Sequence, residues 1–386
     1  MPVEKILFLI LRSELSGEAL GPDVRQALSA QTLAELYTLS NAHDMAHIAG
    51  QAISKLGGFQ TDESFQKMKL AARKAFVRYV KMENALQRIC TVLEQAQIPF
   101  IPLKGAVIRP YYPEPWMRTS CDIDILVKEK DLSRAVKAIV KNLSYRDVKK
   151  SLHDISMHSP EGIHLELHHA LIEDFVSRRQ RELLSHIWEY ATPVRPSSYN
   201  HQLAEPVFYF YHIAHMAKHF QNGGCGIKPL MDLWLLNHKL DQNTRERELL
   251  LEEGGLLTFS KAAEKLSRVW FGDGNYEPLD RVMERYILDG GVYGTRSNII
   301  VVSQYRKGNR LLSVFERVFL PYDVIKYYYP VLKKHKYLTP VFQIARWCKL
   351  FFQGKFKTLL WELNKTTTVT TEELSSISDL MNYLGL

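Results

Sequence analysis

Four cysteines are spread over 386 residues, at Cys90, Cys121, Cys225 and Cys348, and no C-x-x-C pair is among them. That spacing excludes a disulfide framework and a zinc knuckle, and it fits a reducing cytoplasm. Long hydrophobic runs are missing as well: no window approaches the roughly 18 consecutive apolar residues of a membrane span. The run Ile6-Leu7-Phe8-Leu9-Ile10-Leu11 follows Glu4 and Lys5 and gives way at once to Arg12 and Glu14. Lacking a strongly basic segment before it, it reads as a helix and not as a signal peptide. The expectation is a cytoplasmic protein without a transmembrane segment.

What is present is ordinary for a folded chain, 46% hydrophobic and 24% charged, with length enough for two or three domains. Fifty Lys+Arg against 42 Asp+Glu leave a net charge of +8. Much of the excess falls after Arg306, which fits nucleic acid, anionic lipid, a polyanionic substrate or a solvated surface.

Residues 1–95 carry apolar positions at three- and four-residue spacing and read as helices, closed at Gly57-Gly58 and resumed from Asp62 as one long amphipathic helix. His43 and His47 stand at i and i+4. Without the Glu of an H-E-x-x-H they read as packing or capping residues. At Ile98-Pro99-Phe100-Ile101-Pro102-Leu103 the period changes to that of a short strand, with proline restricting it to an edge or a beginning. Lys104-Gly105 ends it, and Ala106 to Arg109 reads as the start of a helix. A glycine in such a strand-to-helix turn leaves backbone N–H groups that suit phosphate.

After the loop Tyr111-Tyr112-Pro113-Glu114-Pro115-Trp116 and Arg118, the run Cys121-Asp122-Ile123-Asp124-Ile125-Leu126-Val127 alternates with a period of two. Asp122 and Asp124 therefore leave the same face of a strand. Neighbouring carboxylates repel by about 4 kcal/mol at 4 Å and an effective dielectric of 20. A divalent metal reverses the sign of that interaction, whereas two solvated acids on an open face need no explanation. A helix follows from Asp131. Then Ile163-His164-Leu165-Glu166-Leu167-His168 alternates again, with His164, Glu166 and His168 on one face. Strand, glycine turn, helix, D-x-D strand, helix and acid-bearing strand make a small α/β unit in which three acids converge.

These residues resemble the nucleotidyltransferase fold shared with DNA polymerase β: a glycine turn after the first strand, an h-D-h-D-h strand and a third acid on a later strand. The resemblance is more specific to a bacterial subgroup of nucleotidyltransferase family proteins. It rests on Leu103-Lys104-Gly105, Tyr111-Tyr112-Pro113, Arg118, Asp122 to Val127, and Glu166-Leu167-His168, and it continues into the C-terminal part. One departure is Lys104-Gly105 where the wider superfamily has Gly-Ser, which exchanges a hydroxyl contact to phosphate for a charge.

The resemblance implies an NTP substrate and a Mg²⁺ cofactor, with Mn²⁺ as the alternative, bound by Asp122, Asp124 and Glu166. It implies Glu166 as second-metal ligand or base, and Lys104, Gly105 and Arg118 as triphosphate contacts. His168 orients a ligand or is a strand histidine. The transfer is to a hydroxyl-bearing small-molecule, sugar or peptide acceptor. An RNA- or protein-directed transferase and a non-catalytic binding module on a decayed transferase fold are the alternatives.

Past Pro206 the pattern is helical. His215 and His219 are again i, i+4, and after Gly223-Gly224-Cys225-Gly226 come Lys228 and Asp232. A comparable histidine pair, glycine turn, basic residue and Asp recur in the subgroup. Asp232 is expected to hold His215 or Lys228, on a face that closes over nucleotide or acceptor.

Residues 311–363 are aromatic and basic, including Phe315, Phe319, Tyr327-Tyr328-Tyr329, Lys333-Lys334, Trp347, Phe351-Phe352 and Lys355. An anionic surface or nucleic acid is one partner for such helices. Aromatic core packing beneath a solvated lysine face is the favoured reading. The fold expected is thus α+β, a small nucleotidyltransferase-type sheet domain at 96–200 between an N-terminal helical region at 1–95 and a C-terminal helical domain at 201–363. Residues 364–386 are expected to form a mobile tail or to end in one short helix.

Overall fold

The computed structural model describes residues 1–386 apart from 152, 172–176, 240–242, 293 and 355, and apart from the side chain of Tyr327. Lys355 therefore lies outside the described residues.

Five helices open the chain: α1 (Val3–Ser16), α2 (Pro22–Ala27), α3 (Ala30–Ala42), α4 (Ala46–Leu56) and α5 (Glu63–Gln95). The last begins where the Asp62 carboxylate accepts the Phe65 backbone N–H, so an acid both caps the first turn and complements its dipole. Helix α4 crosses α5 at Gly50. A Cβ there would lie 2.4 Å from the Met68 carbonyl oxygen, so the crossing admits only glycine.

The sheet unit runs β1 (Phe100–Pro102), α6 (Gly105–Ile108), β2 (Asp122–Val127), α7 (Leu132–Leu143), β3 (Arg146–Lys150), β4 (Asp154–His158) and β5 (His164–His168). Strand order is β1-β2-β5-β4-β3, with β2 and β5 parallel and the other pairs antiparallel. Pro102 ends the edge strand, as its missing N–H requires. One sheet face packs Ile123, Ile125, Leu165 and Leu167 against Ile89 and Leu93 of α5 and Ile139 of α7. The opposite face carries Asp122, Asp124, His164, Glu166 and His168 in register, Asp124 facing Glu166 and Asp122 facing His164.

Helix α8 (Arg178–Ser185) and the hairpin β6 (Ala191–Pro193) and β7 (His201–Leu203) lead to α9 (Glu205–Gln221) and α10 (Lys228–Lys239), followed by α11 (Thr244–Glu253), α12 (Leu257–Phe271) and α13 (Pro278–Gly290). A second core joins α1, α4, α9, α10 and α12 to Leu103, Tyr112, Trp116 and Leu126, so the acidic strand is held from both sides.

The chain ends in α14 (Arg296–Lys307), α15 (Arg310–Val318), α16 (Tyr322–Tyr328), α17 (Thr339–Phe352), α18 (Phe356–Thr368) and α19 (Thr371–Leu384). Two expectations are corrected here. The tail from Asn364 completes α18 and then forms α19, which opens on a reciprocal cap between Thr370 and Glu373 and buries Leu380, Met381 and Leu384 in the main core. The aromatic helices do not bury their rings: Phe315, Phe319, Phe351 and Phe352 are exposed. Among the described residues, no helix is long and apolar enough to cross a membrane.

Candidate active site

Lys104 stands where β1 turns into α6, and its backbone adopts φ 44° and ψ −111°. That region is open to glycine and strained for any side chain. The strain holds an ammonium over the acidic face: Lys104 Nζ lies 2.7 Å from Asp124 Oδ1. Asp124 is buried, and His168 Nε2 donates to the same oxygen at 2.9 Å while lying 3.5 Å from Glu166 Oε2.

The charges follow from this packing. Burial opposes ionisation of Asp124, but Lys104 and His168 outweigh it and hold the carboxyl below the usual range. Burial pushes Asp122 up, as does the charge of Asp124, against the pull of Lys104. Burial alone would lower His168; its bonds to Asp124 and Glu166 raise it to about 9. Burial likewise opposes the Lys104 charge, yet Tyr211 and Asp124 push it above the normal lysine range.

Two groups of potential metal donors share Glu166, one with Asp124 and His168 and the other with Asp122 and His164. Within each, the ligand atoms lie within 4.8 Å of one another. A protonated His168 donates to carboxylates and does not ligate, which leaves the carboxylate oxygens of Asp122, Asp124 and Glu166 beside the His164 imidazole, a mainly oxygen set of the kind a hard divalent cation takes. Asp122 is raised first by burial and then by the ionised Asp124, and a cation would cancel the second of these. The donor set therefore fits the metal that the sequence suggests.

Gly105 is tight for a separate reason. A Cβ on it would lie 2.8 Å from Arg118 Nη1 and 3.5 Å from Ser120 Oγ, so the guanidinium fills the space beside the turn. Arg118 itself is buried and grips Asp232 through two bonds, Nε to Oδ1 at 2.9 Å and Nη2 to Oδ2 at 2.7 Å. The Tyr112 hydroxyl donates to the same carboxylate at 2.7 Å. Asp232 thus holds Arg118, not His215 or Lys228 as expected, because the fork of a guanidinium matches a carboxylate in two places.

Lys228 is engaged elsewhere. Its ammonium donates to Asp44 Oδ2 at 2.7 Å and to Thr119 Oγ1 at 2.9 Å, tying α10 to the segment just before β2. His47 Nε2 meets the Met117 carbonyl at 2.7 Å, and His43 Nε2 meets that of Leu288 at 3.1 Å, so both act as buried packing groups. His215 Nε2 and His219 Nε2 lie 3.2 Å apart. His215 lines one cleft together with Lys104, His153, His168, Tyr211 and Lys218. Burial and the nearby Lys104 charge hold His215 well below the usual histidine range, and hence neutral.

Sequence reasoning missed His164 as a donor, Tyr112 and Asp44 as partners of the anchored cations, and the His153–Asp154 pair at 3.1 Å beside His168. The placement of His164 on the face of Glu166 was the available signal. The Tyr112 and Asp44 contacts join residues more than 100 positions apart and leave no local pattern, whereas His153 and Asp154 are neighbours whose approach to His168 depends on the pairing of β4 with β5.

A family model described as uncharacterised nucleotidyltransferase matches residues 29–272, more than half of the chain. The chain belongs to this nucleotidyltransferase family. The matched span runs from the start of α3 to the end of α12, and so includes the sheet, its acidic face and the Arg118–Asp232 tie. No curated protein and no solved structure matches the chain.

Proposed function

We propose that this nucleotidyltransferase moves an NMP from an NTP to a hydroxyl of a small-molecule, sugar or peptide acceptor, with release of pyrophosphate. The observation that carries the reading is the acidic face: three carboxylates on two paired strands, in two donor groups that share Glu166, beside a strained, charged turn. A divalent cation bound by Asp122, Asp124 and Glu166, Mg²⁺ or Mn²⁺, would neutralise triphosphate charge and polarise the α-phosphorus.

The chain's own residues supply the rest. Lys104 places a cation at the edge of the face, where charge grows on the leaving pyrophosphate, and Arg118 packs its guanidinium against the Gly105 turn. Glu166 accepts the proton of the acceptor hydroxyl as its oxygen bonds to the α-phosphorus and the bond to the bridging oxygen breaks toward pyrophosphate. His168 orients Asp124 by donating to it and brings its charge to within 3.5 Å of Glu166. His215 and His219 line the acceptor side, with Lys228 and Asp232 holding α10 against the sheet.

Calorimetric titration with each NTP, with and without Mg²⁺, tests the reading. Binding that requires the metal and is lost in Asp122→Asn supports it, and absence of NTP binding in Mg²⁺ refutes it.

A further inference from the structure

Residues 306–363 hold 12 Lys and Arg against three Asp and Glu, so this segment alone carries +9 while the whole chain carries +8. The same stretch exposes its large apolar side chains: Phe352 is 85% accessible, Leu311 79% and Ile344 66%. On α17, Val341, Ile344, Cys348 and Phe351 recur at three- and four-residue spacing, and all four are exposed, which makes a helical stripe turned to solvent. Leu311, Leu312, Phe315, Val318 and Phe319 line an apolar groove along α15.

The surface is continuous. Ring centroids lie 5.2 Å apart for Phe315 and Phe319, 6.2 Å for Phe319 and Trp347, and 6.1 Å for Phe351 and Phe356, with Trp347 and Phe351 one turn apart on α17. Arg346 and Trp347 both donate to the Val318 carbonyl and lock α17 onto the end of α15. Contiguous apolar surface of this extent, set among cations, marks a docking site.

The charge decides the occupant. A second copy would bring +9 against +9. A nucleic acid would use aromatic faces and guanidinium planes to stack its bases. Here many of the exposed apolar groups are aliphatic, and Arg346 is turned inward to backbone carbonyls while Arg317 pairs with Glu362. The exposed Lys334, Lys349 and Lys357 are point charges suited to phosphate headgroups. None of these helices is long enough to span a bilayer.

We propose that α15 to α18 form a peripheral docking surface for an anionic lipid bilayer. The phenyl and aliphatic side chains of α15 and α17 enter the interface, and the lysines meet the headgroups.

Sedimentation of the full-length protein with vesicles of phosphatidylcholine, alone or mixed with phosphatidylglycerol, tests this. Binding to the anionic vesicles that weakens with salt is expected. The double substitution Phe351→Ser and Phe352→Ser should lower that partitioning about tenfold or more, with an unchanged melting temperature because both rings are exposed. Lys334→Glu, Lys349→Glu and Lys357→Glu together should lower it by a similar factor. The proposal is overturned by absent binding to anionic vesicles, by equal binding to neutral ones, by variants that bind like wild type, or by binding to single-stranded RNA in place of vesicles. Self-association that Phe352→Ser abolishes, without vesicle binding, overturns it as well.

Discussion

Lys104 is the residue on which the site's electrostatics turn. Its backbone sits in a region that glycine tolerates, yet its ammonium reaches Asp124 from that turn. Replacing it by Gly and by Ala removes the same charge, and the two variants differ in backbone freedom. Lys104→Ala should therefore be less stable than Lys104→Gly by about 1 kcal/mol or more, read from urea midpoints. Equal stability would show that the turn is unstrained.

Asp232 is the second decisive residue. Burial opposes its charge, but Arg118 and Tyr112 hold its carboxyl below the usual value of 3.8. A group with a depressed native pKa contributes stability that is complete above its unfolded value and lost as pH falls through the native one. Stability should therefore decline below about pH 4, and Asp232→Asn should flatten that part of the profile. At neutral pH the same substitution leaves Arg118 buried and unpaired and should cost roughly 3–5 kcal/mol, measured by denaturant unfolding.

At the scale of elements, the two acidic strands were legible because their alternation survives in the sequence. Ile123 and Ile125 pack on α5 and α7, while Asp122 and Asp124 leave by the other face. Strand β3 was not legible: all five residues of Arg146–Lys150 are exposed, so no buried side supplies a pattern. Strand β4 alternates through Ile155 and Met157, yet it is only five residues long. The Arg118–Asp232 tie lay beyond reach because it joins the loop before β2 to α10, across 114 positions. Gly105 shows what that tie enforces. Gly105→Ala places a methyl against Arg118 Nη1, so α6 and the guanidinium must separate. NTP affinity should fall while Asp232→Asn, tested in parallel, lowers stability more than affinity. Unchanged affinity in Gly105→Ala would remove the turn from the nucleotide site.

At the scale of the molecule, two cores meet at β2, one built with α5 and α7 and the other with α9, α10 and α12. The C-terminal helix belongs to the second, and its burial there was not foreseen from the Thr-rich run, since isolated polarity says little about a helix with one buried stripe. Leu384 is fully buried, and Leu384→Ala should cost roughly 2–5 kcal/mol in unfolding experiments. The exposed aromatic surface of α15 and α17 was misread for the converse reason: helical spacing of rings fits a core and an interface equally well.

The central claim is that the acidic face of β2 and β5 performs Mg²⁺-dependent nucleotidyl transfer. The most direct measurement follows pyrophosphate release from α-labelled NTPs, with a cell extract as acceptor source, for wild type and Asp122→Asn. Transfer of label that needs Mg²⁺ and falls at least ~100-fold in the variant is the predicted result. Release that proceeds equally in the variant, or no release from any NTP in Mg²⁺, would contradict the account.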